Sequence, residues 1–309
     1  MLRGKKFLSL LSDDTRGFAI SLDLLLALIP ITLVIGFVAS DMDNLLFQME
    51  DTVFRSSMDR AAEDAMGALL ETSGTPSNWE VNGNPQIAGL AQLDTSTNTP
   101  DQGAVDPIKL ASLTTSQVQQ LVGSQYGFYF NVSTVNNNTG TPTSLKTLGN
   151  SSLGSGKDVV RVQRIAEASQ FKVVSSLLGQ ILYLGSPISF SLPSFPTSFT
   201  SSQSYDYWIL ISNNAGFTSA TVNVNNNAIN FNSTNITTAA MINPNFLITN
   251  STNSGQYYNN TVTLNVTGSF PSSMDIRIVQ APKNTAPGAI TASTVVPQPT
   301  NFVLYVWLK

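Results

Sequence analysis

Side chains that commonly perform catalysis or bind metals are scarce in this chain of 309 residues, which contains no Cys and no His. The lack of Cys excludes disulfides, thiolate zinc sites and a cysteine nucleophile. The lack of His removes the commonest general base and metal ligand. The few acidic residues after Thr72 show no spacing that pairs them for hydrolysis. We therefore expect no enzymatic activity, no metal site and no cofactor.

The glycine-rich residues 149–158 resemble a phosphate-binding loop only loosely. Lys157 does not directly follow Gly154, and Asp158 stands where a Ser or Thr would bind magnesium. The chain also has 15 basic against 19 acidic residues, with a pI near 4.8. Nucleic-acid contacts need clustered Lys and Arg. Neither nucleotide nor nucleic-acid binding is expected.

Hydroxyl and amide side chains replace charges in the later part of the chain, where Asp206 is the sole charged residue between Val173 and Ser273. This composition is typical of a cell-surface domain, whereas cytosolic domains usually carry mixed surface charge. Chance alone would give roughly six or seven N-x-S/T sequons in so Asn-rich a chain. The candidate N-glycosylation sites are Asn131, Asn137, Asn150, Asn232, Asn235, Asn250, Asn259 and Asn265.

An apolar segment follows a short basic N-terminal stretch. Residues 18–40 contain one charge, Asp23, and residues 24–40 contain none. As a helix, residues 18–40 would span about 34 Å, enough to cross a hydrocarbon core of about 30 Å. Bases precede the segment and acids follow it, so the positive-inside rule predicts a cytoplasmic N-terminus and an extracellular remainder. The segment is too long for an ordinary secretory signal peptide, and we interpret it as a retained membrane anchor.

The helical pattern continues beyond the apolar segment. Apolar residues recur at three- and four-residue steps as far as Leu69, with acidic residues on other faces. The pattern predicts one helix from Ile20 to Thr72, kinked at Pro30 and ended by the Gly74–Thr75–Pro76 signal. Its second half is amphipathic and is expected to pack on a head.

The residues at the start of this helix resemble a family motif. Ala19-Ile-Ser-Leu-Asp23 is similar to the Q-x-S-x-E start of archaeal type IV pilin-like proteins, which carry a class III signal peptide. Ser21 matches the motif serine, Asp23 stands where Glu is usual, Ala19 replaces Gln, and Ala27 stands where Leu is usual. The resemblance covers roughly the first 72 residues.

The resemblance implies that a prepilin peptidase removes residues 1–17 as a basic leader. Processing would then involve Arg16, Gly17, Phe18 and Ala19. Cleavage after Gly17 would make Asp23 the sixth mature residue, and cleavage after Phe18 would make it the fifth.

The resemblance also implies assembly through the helix. A carboxylate in a lipid-facing helix costs roughly 2.5–3.5 kcal/mol at the bilayer centre and usually has a partner. In a filament of this family, the partner of Asp23 is the N-terminal amine of a neighbouring subunit. The alternative is that Asp23 lies at the inner headgroup boundary of a plain anchor. The residues assigned to assembly are Ser21, Asp23, Pro30, Leu45, Leu46, Met49 and Val53.

The remainder, residues 73–309, is predicted to be a β-rich extracellular head. Alternation predicts buried Val262, Leu264 and Val266 with Asn265 on the exposed face, and a tight hairpin at residues 225–227. The doubly apolar strand at residues 302–308 is expected to be central. A short helix is expected at Ser116–Val122, and residues 94–107 and 136–157 are expected to be long loops. A one-sided strand is expected at Tyr205–Ile211. The fold class is α+β, a long helix packed on a β-sandwich-like head.

Three functions fit these features. In the first, the protein is a structural subunit of an archaeal type IV pilus-like filament, with copies of itself or other pilins, the prepilin peptidase and the membrane as partners. Adhesion to a host or neighbouring cell is an additional role for its head. In the second, it is a monomeric membrane-anchored surface glycoprotein whose head binds a glycan or a protein. An anchored extracellular hydrolase ranks far behind both.

Overall fold

The computed structural model describes residues 15–82, 85–94, 97, 99–135, 142–152, 158–182, 188–212, 217–232, 238–268 and 272–309. The side chains of residues 15–23 lie outside the described part. The chain divides into two compact units between Ser57 and Met58. The fold combines a long apolar N-terminal helix with a mostly β head, so the predicted α+β class is confirmed.

The first helix, α1, runs without interruption from Thr15 to Glu71, with Pro30 inside it. It begins five residues earlier than the periodicity predicts and ends one residue before the predicted end at Thr72. Gly74 lies just beyond the end, with a φ of 83°. A side chain there would approach the Trp79 ring to 2.5 Å, so this position needs glycine to let the chain turn away from the helix.

The last four turns of α1 belong to the core of the head. Met58, Ala62, Met66 and Leu69 are buried and pack with apolar residues of a six-stranded sheet. The predicted amphipathic character of this half of the helix is therefore confirmed. The sheet strands are β1 (Ala91–Asp94), β2 (Thr99–Val105), β3 (Tyr126–Val135), β4 (Pro142–Gly149), β5 (Val159–Ala168) and β14 (Gln298–Leu308).

The strand order of this sheet is β1-β2-β5-β14-β3-β4. The last strand of the chain, β14, pairs antiparallel with both β3 and β5, which confirms its predicted central position. Phe302, Leu304 and Val306 face the helix. Between β2 and β3 lie two short helices, α3 (Pro107–Ser112) and α4 (Thr115–Val122). The second is the predicted helix, and Gly123 ends it with a φ of 102°.

The second part of the head is a sandwich of two four-stranded sheets, ordered β10-β9-β12-β7 and β11-β8-β13-β6. Apolar side chains from both sheets share one core. The strands are β6 (Lys172–Leu182), β7 (Ile188–Thr197), β8 (Tyr205–Ser212), β9 (Phe217–Val224), β10 (Asn227–Asn232), β11 (Ala240–Met241), β12 (Tyr258–Gly268) and β13 (Ser272–Pro282). Short helices α2 (Trp79–Asn82), α5 (Phe199–Ser204) and α6 (Ala292–Val295) lie in the connections.

Local sequence signals in the sandwich agree with the structure. Asn225 and Asn226 have φ values of 47° and 69° and form the turn between β9 and β10. Asn tolerates this left-handed region, which a two-residue hairpin needs. Val262, Leu264 and Val266 of β12 are buried, while Asn265 is exposed, as the alternation predicts.

Three sequence-based predictions are wrong. The segments 94–107 and 136–157, expected to be long loops, contain β2 and β4 respectively. Both strands are largely exposed, so they lack the alternation of apolar residues that indicates a strand. The strand β8, expected to be one-sided, is buried on both faces. The reason is that Trp208 and Leu210 pack in a separate small cluster behind the sandwich.

Leu69→Ala should destabilise the head by about 2–5 kcal/mol, because the change leaves a cavity in a fully buried site. The control is Leu46→Ala on the same helix, where the side chain is 58% exposed. That variant should change the free energy of unfolding by less than about 0.5 kcal/mol. Urea denaturation of the full chain in detergent, followed by Trp fluorescence, measures both. Equal losses would contradict the packing described above.

Candidate functional site

The largest unpartnered apolar surface in the described residues is on α1. Every large apolar side chain from Leu24 to Phe54 is at least half exposed. Among the described helices, α1 is long and apolar enough to cross a membrane, with a mean hydropathy of 2.2 and none of the apolar window buried. Burial of so much apolar surface requires lipid or other protein.

The two threonine hydroxyls within this surface are satisfied by the helix itself. The Thr32 hydroxyl donates to the carbonyl oxygens of Leu28 and Ile29 at 3.0 and 2.9 Å. The Thr52 hydroxyl donates to the Gln48 carbonyl at 2.6 Å. Hydroxyls bonded in this way need neither water nor a polar neighbour. The helix can therefore place Thr32 and Thr52 in an apolar environment with their hydroxyl groups bonded.

The surface changes character at Asp41. Residues 24–40 are apolar on all sides, whereas residues 41–54 combine an apolar stripe with acidic residues, and with Phe47 and Phe54, on other faces. At 100° per residue, the predicted assembly stripe lies within an arc of about 100°. Asp43, Glu50 and Asp51 lie outside that arc. The stripe consists of Met42, Leu45, Leu46, Met49 and Val53, all exposed.

Sequence reasoning missed a shallow groove on the apolar part. Thr32, Gly36 and Ser40 recur at four-residue steps and line it with Leu33 and Phe37. A side chain built at Gly36 would meet no atom within 4 Å. Small residues at this spacing allow helices to approach closely, and this pattern could have been found in the sequence.

The residues predicted to act in leader processing, and those of the motif in which Asp23 is predicted to pair with an N-terminal amine, cannot be placed in a site. Arg16, Gly17, Phe18 and Ala19 lie in the first turns of α1, and Ser21 and Asp23 follow in the same helix. The side chains of all six are outside the described residues. Pro30 is within the helix and exposed. Processing at residues 16–19 and a role for Asp23 in assembly stay predictions.

Among the candidate glycosylation sites, Asn137 and Asn235 lie outside the described residues. Asn131 and Asn250 are half-buried. The exposed ones are Asn150, Asn232, Asn259 and Asn265, the last two on β12. Exposure is necessary for attachment of a glycan, and it makes these four the better acceptors.

The structure also brings together four charged side chains that sequence reasoning left unconnected. The Lys172 ammonium at the start of β6 lies 2.5 Å from the Asp106 carboxylate, which accepts the Ile108 N–H at 2.9 Å as the N-cap of α3. Lys109, on α3, is 1% exposed, and its ammonium donates to the carbonyl oxygens of Ser73 and Ala91 at 2.7 and 3.3 Å.

Glu80 of α2 completes this charge cluster of Glu80, Asp106, Lys109 and Lys172. Its Oε2 atom is buried and has no hydrogen-bond partner among the described residues. Burial raises the pKa of Glu80, although Lys109 opposes the rise. Burial likewise lowers the pKa of Lys109, against the attraction of Glu80 and Asp106. These residues come from segments up to 92 positions apart, so no local spacing signals the cluster.

Four aromatic residues of the head that could stack on a sugar, Trp79, Trp208, Tyr257 and Tyr258, divide into two groups. Trp79 and Trp208 are buried, and the Trp79 indole donates to the Gly89 carbonyl at 2.9 Å. These two act in the core, the role that aromatic residues in such segments usually have. Tyr257 is 48% exposed and Tyr258 is half-buried.

The stability of Glu80→Gln relative to the wild type should increase as the pH rises. The folded chain holds the Glu80 proton to higher pH than the unfolded chain does, so wild-type stability falls as pH rises above the unfolded value near 4.5. The difference in unfolding free energy between variant and wild type should therefore increase from pH 4 to pH 7 in urea denaturation. Glu167→Gln, at an exposed position on β5, is the control. A pH-independent difference for Glu80→Gln would contradict the burial effect.

Comparison with known proteins gives little. No family model matches the sequence, and no curated protein matches it. Among solved structures, a β-porphyranase of glycoside hydrolase family 86 from the human gut bacterium Bacteroides plebeius aligns with 13% identity and a TM-score of 0.22. The alignment covers 52% of this chain and 31% of that enzyme, so this chain matches about a third of the enzyme's length. A TM-score this low establishes no shared fold and supports no argument about function.

Proposed function

We propose that this protein is a structural subunit of an archaeal type IV pilus-like surface filament, assembled through α1 after removal of its basic leader. In this proposal, the head lies outside the cell and coats the filament, where it can also mediate adhesion. The prepilin-type motif at residues 19–23 supports the class of protein, and the surface of α1 supports assembly.

The stripe at residues 42–53 is the observation on which the proposal rests. Residues 24–40 extend about 25 Å as a helix, which uses most of a hydrocarbon core of about 30 Å. The following residues include Asp41, Asp43, Glu50 and Asp51 and belong outside the bilayer. An apolar stripe in that position, exposed as it is, needs a protein partner. A bundle of identical helices supplies one.

The alternative is a monomeric membrane-anchored surface glycoprotein, which the membrane-compatible length of α1 and the exposed sequons favour equally. In that case residues 24–40 are buried in lipid. The stripe at residues 42–53 would then have no partner, which is the reason for ranking the filament first.

The mature N-terminus distinguishes processing from simple anchoring. We expect intact-mass measurement of protein recovered from cells to show a start at Phe18 or Ala19, because the leader is basic and the cut precedes the apolar segment. A start at Met1 or Leu2 would mean that the segment is an uncleaved anchor, and the surface-glycoprotein function would replace the filament.

Leu46→Lys should abolish or strongly reduce filament formation while leaving surface display intact. A charge in the centre of a helix–helix contact remains unpaired when the contact forms. Gln48→Lys on the same helix, outside the stripe, is the matched control and should assemble. Electron microscopy of sheared filaments, with cell-surface labelling of the head, measures both properties. Equal filament yield from the two variants would contradict the role of the stripe.

A further inference from the structure

A cavity of about 220 Å³ lies in the head, between the charge cluster and the sandwich. Its walls come from α2, α3, β6, the α5–β8 segment and the chain just before β12. Sites for small molecules occur preferentially where separate packed layers meet. Polar and aromatic side chains on the walls are Glu80, Lys172, Tyr205, Tyr207, Tyr257 and Gln280.

The charges around the cavity are balanced. Glu80 and Lys172 line the cavity with one carboxyl and one ammonium group, whereas Asp106 and Lys109 belong to the same charge cluster but do not line it. A cationic or an anionic ligand would meet one attractive and one repulsive group on the walls. Neither gains from entering, so the electrostatics favour a neutral occupant.

The walls offer hydrogen-bond groups of both kinds. The Glu80 carboxyl lies on the wall and supplies acceptor oxygens. The Lys172 ammonium and the Gln280 amide are donors on the same walls. A ligand suited to this set both donates and accepts, as alcohol hydroxyl groups do.

Aromatic rings form the remaining walls. Tyr205 and Tyr207 are buried, whereas Tyr257 is 48% exposed. The hydroxyl of Tyr207 is occupied, because it donates to the Ser201 hydroxyl at 3.3 Å, and burial raises its pKa to about 12. The Tyr205 hydroxyl likewise donates to the Glu80 backbone carbonyl at 3.5 Å. The two buried tyrosines therefore contribute mainly apolar ring surface, which suits a ligand with C–H groups on one side.

The geometry points to a binding site for one neutral sugar ring, such as the terminal pyranose of a glycan. A pyranose combines hydroxyl groups that donate and accept with an apolar C–H face, and it carries no charge. The cavity is smaller than the roughly 300–1,000 Å³ of sites for drug-sized ligands, so it holds a single ring rather than an oligosaccharide. This inference goes beyond filament assembly and does not depend on it.

The test uses the full chain dispersed in detergent, so its result does not depend on filament formation. Saturation-transfer NMR titrations are run with the methyl pyranosides of glucose, galactose and mannose, and with choline and acetate as charged probes of similar size. We expect saturable binding of at least one glycoside with a Kd of about 1–10 mM, equivalent to about 3–4 kcal/mol, and no saturable binding of choline or acetate.

Two variants examine the walls of the cavity. Tyr257→Ala should weaken glycoside binding at least about tenfold, because it removes an exposed ring face, about 1.4 kcal/mol. Glu80→Gln keeps the shape of the side chain and should weaken binding about tenfold or more, since it replaces an acceptor oxygen with an amide NH2 group that only donates. Tyr305→Ala, at a half-exposed tyrosine of β14 that does not line the cavity, is the matched control and should bind normally.

Three results would overturn the inference. They are no saturable glycoside binding up to about 100 mM, tighter binding of choline or acetate than of any glycoside, or unchanged binding by Tyr257→Ala. Circular dichroism checks that each variant is folded. If Glu80→Gln fails to fold, Tyr257→Ala decides the outcome, because its side chain is half exposed and its removal leaves the core intact.

Discussion

The packing of one face of α1 against the six-stranded sheet is the interaction on which the head depends. Met66 and Leu69 are completely buried there. The chain that leaves the helix also returns to it, because the backbone N–H groups of Leu90 and Ala91 donate to the carbonyl oxygens of Leu69 and Thr72 at 2.7 and 3.0 Å. Arg164 of β5 adds ion pairs at 2.8 Å to two glutamates of the helix. The helix end is thus part of the sheet's core.

The same helix meets a different physical requirement before Ser57. An α-helix satisfies its own backbone hydrogen bonds, so it forms without help from neighbouring strands. Backbone hydrogen bonds do not shield the side chains from water, and residues 24–54 expose apolar groups throughout. The apolar part is suited to lipid, and the stripe beyond it is suited to other helices. This combination is the physical basis for preferring a filament subunit to a plain anchor.

The head contains few charged residues and uses amide side chains both in its interior and on its surface. Asn260 is completely buried, and its side chain accepts the Ile248 N–H at 2.7 Å and donates to the Thr197 hydroxyl at 2.7 Å. Its neighbour Asn259 points to the exposed side of the same strand and is a candidate for glycosylation. Ion pairs also connect elements of the head, such as Lys172–Asp106 between β6 and the N-cap of α3, and Lys283–Asp206.

The sequence alone determined the features that depend on neighbouring residues. These are the long helix with its apolar and amphipathic parts, the Asn225–Asn226 turn, the alternation in β12 and the central place of β14, because helix and strand periods and turn conformations are local properties. The motif at residues 19–23 likewise needs no structure to be read. Exposed strands such as β2 and β4 escaped prediction because no buried side chains mark them.

The tertiary structure alone decided which distant residues meet. Glu80 and Lys172 are far apart along the chain, and only the packing of α2 and β6 places them on the walls of one cavity, where Asp106 pairs with Lys172. It also decided that the predicted apolar pattern of α1, which continues to Leu69, divides at Ser57, with Met58 buried and Val53 exposed. The apolar pattern is the same on both sides of that point. What differs between the two sides is how much of the sheet is available to cover the helix, and this depends on the fold of the whole head.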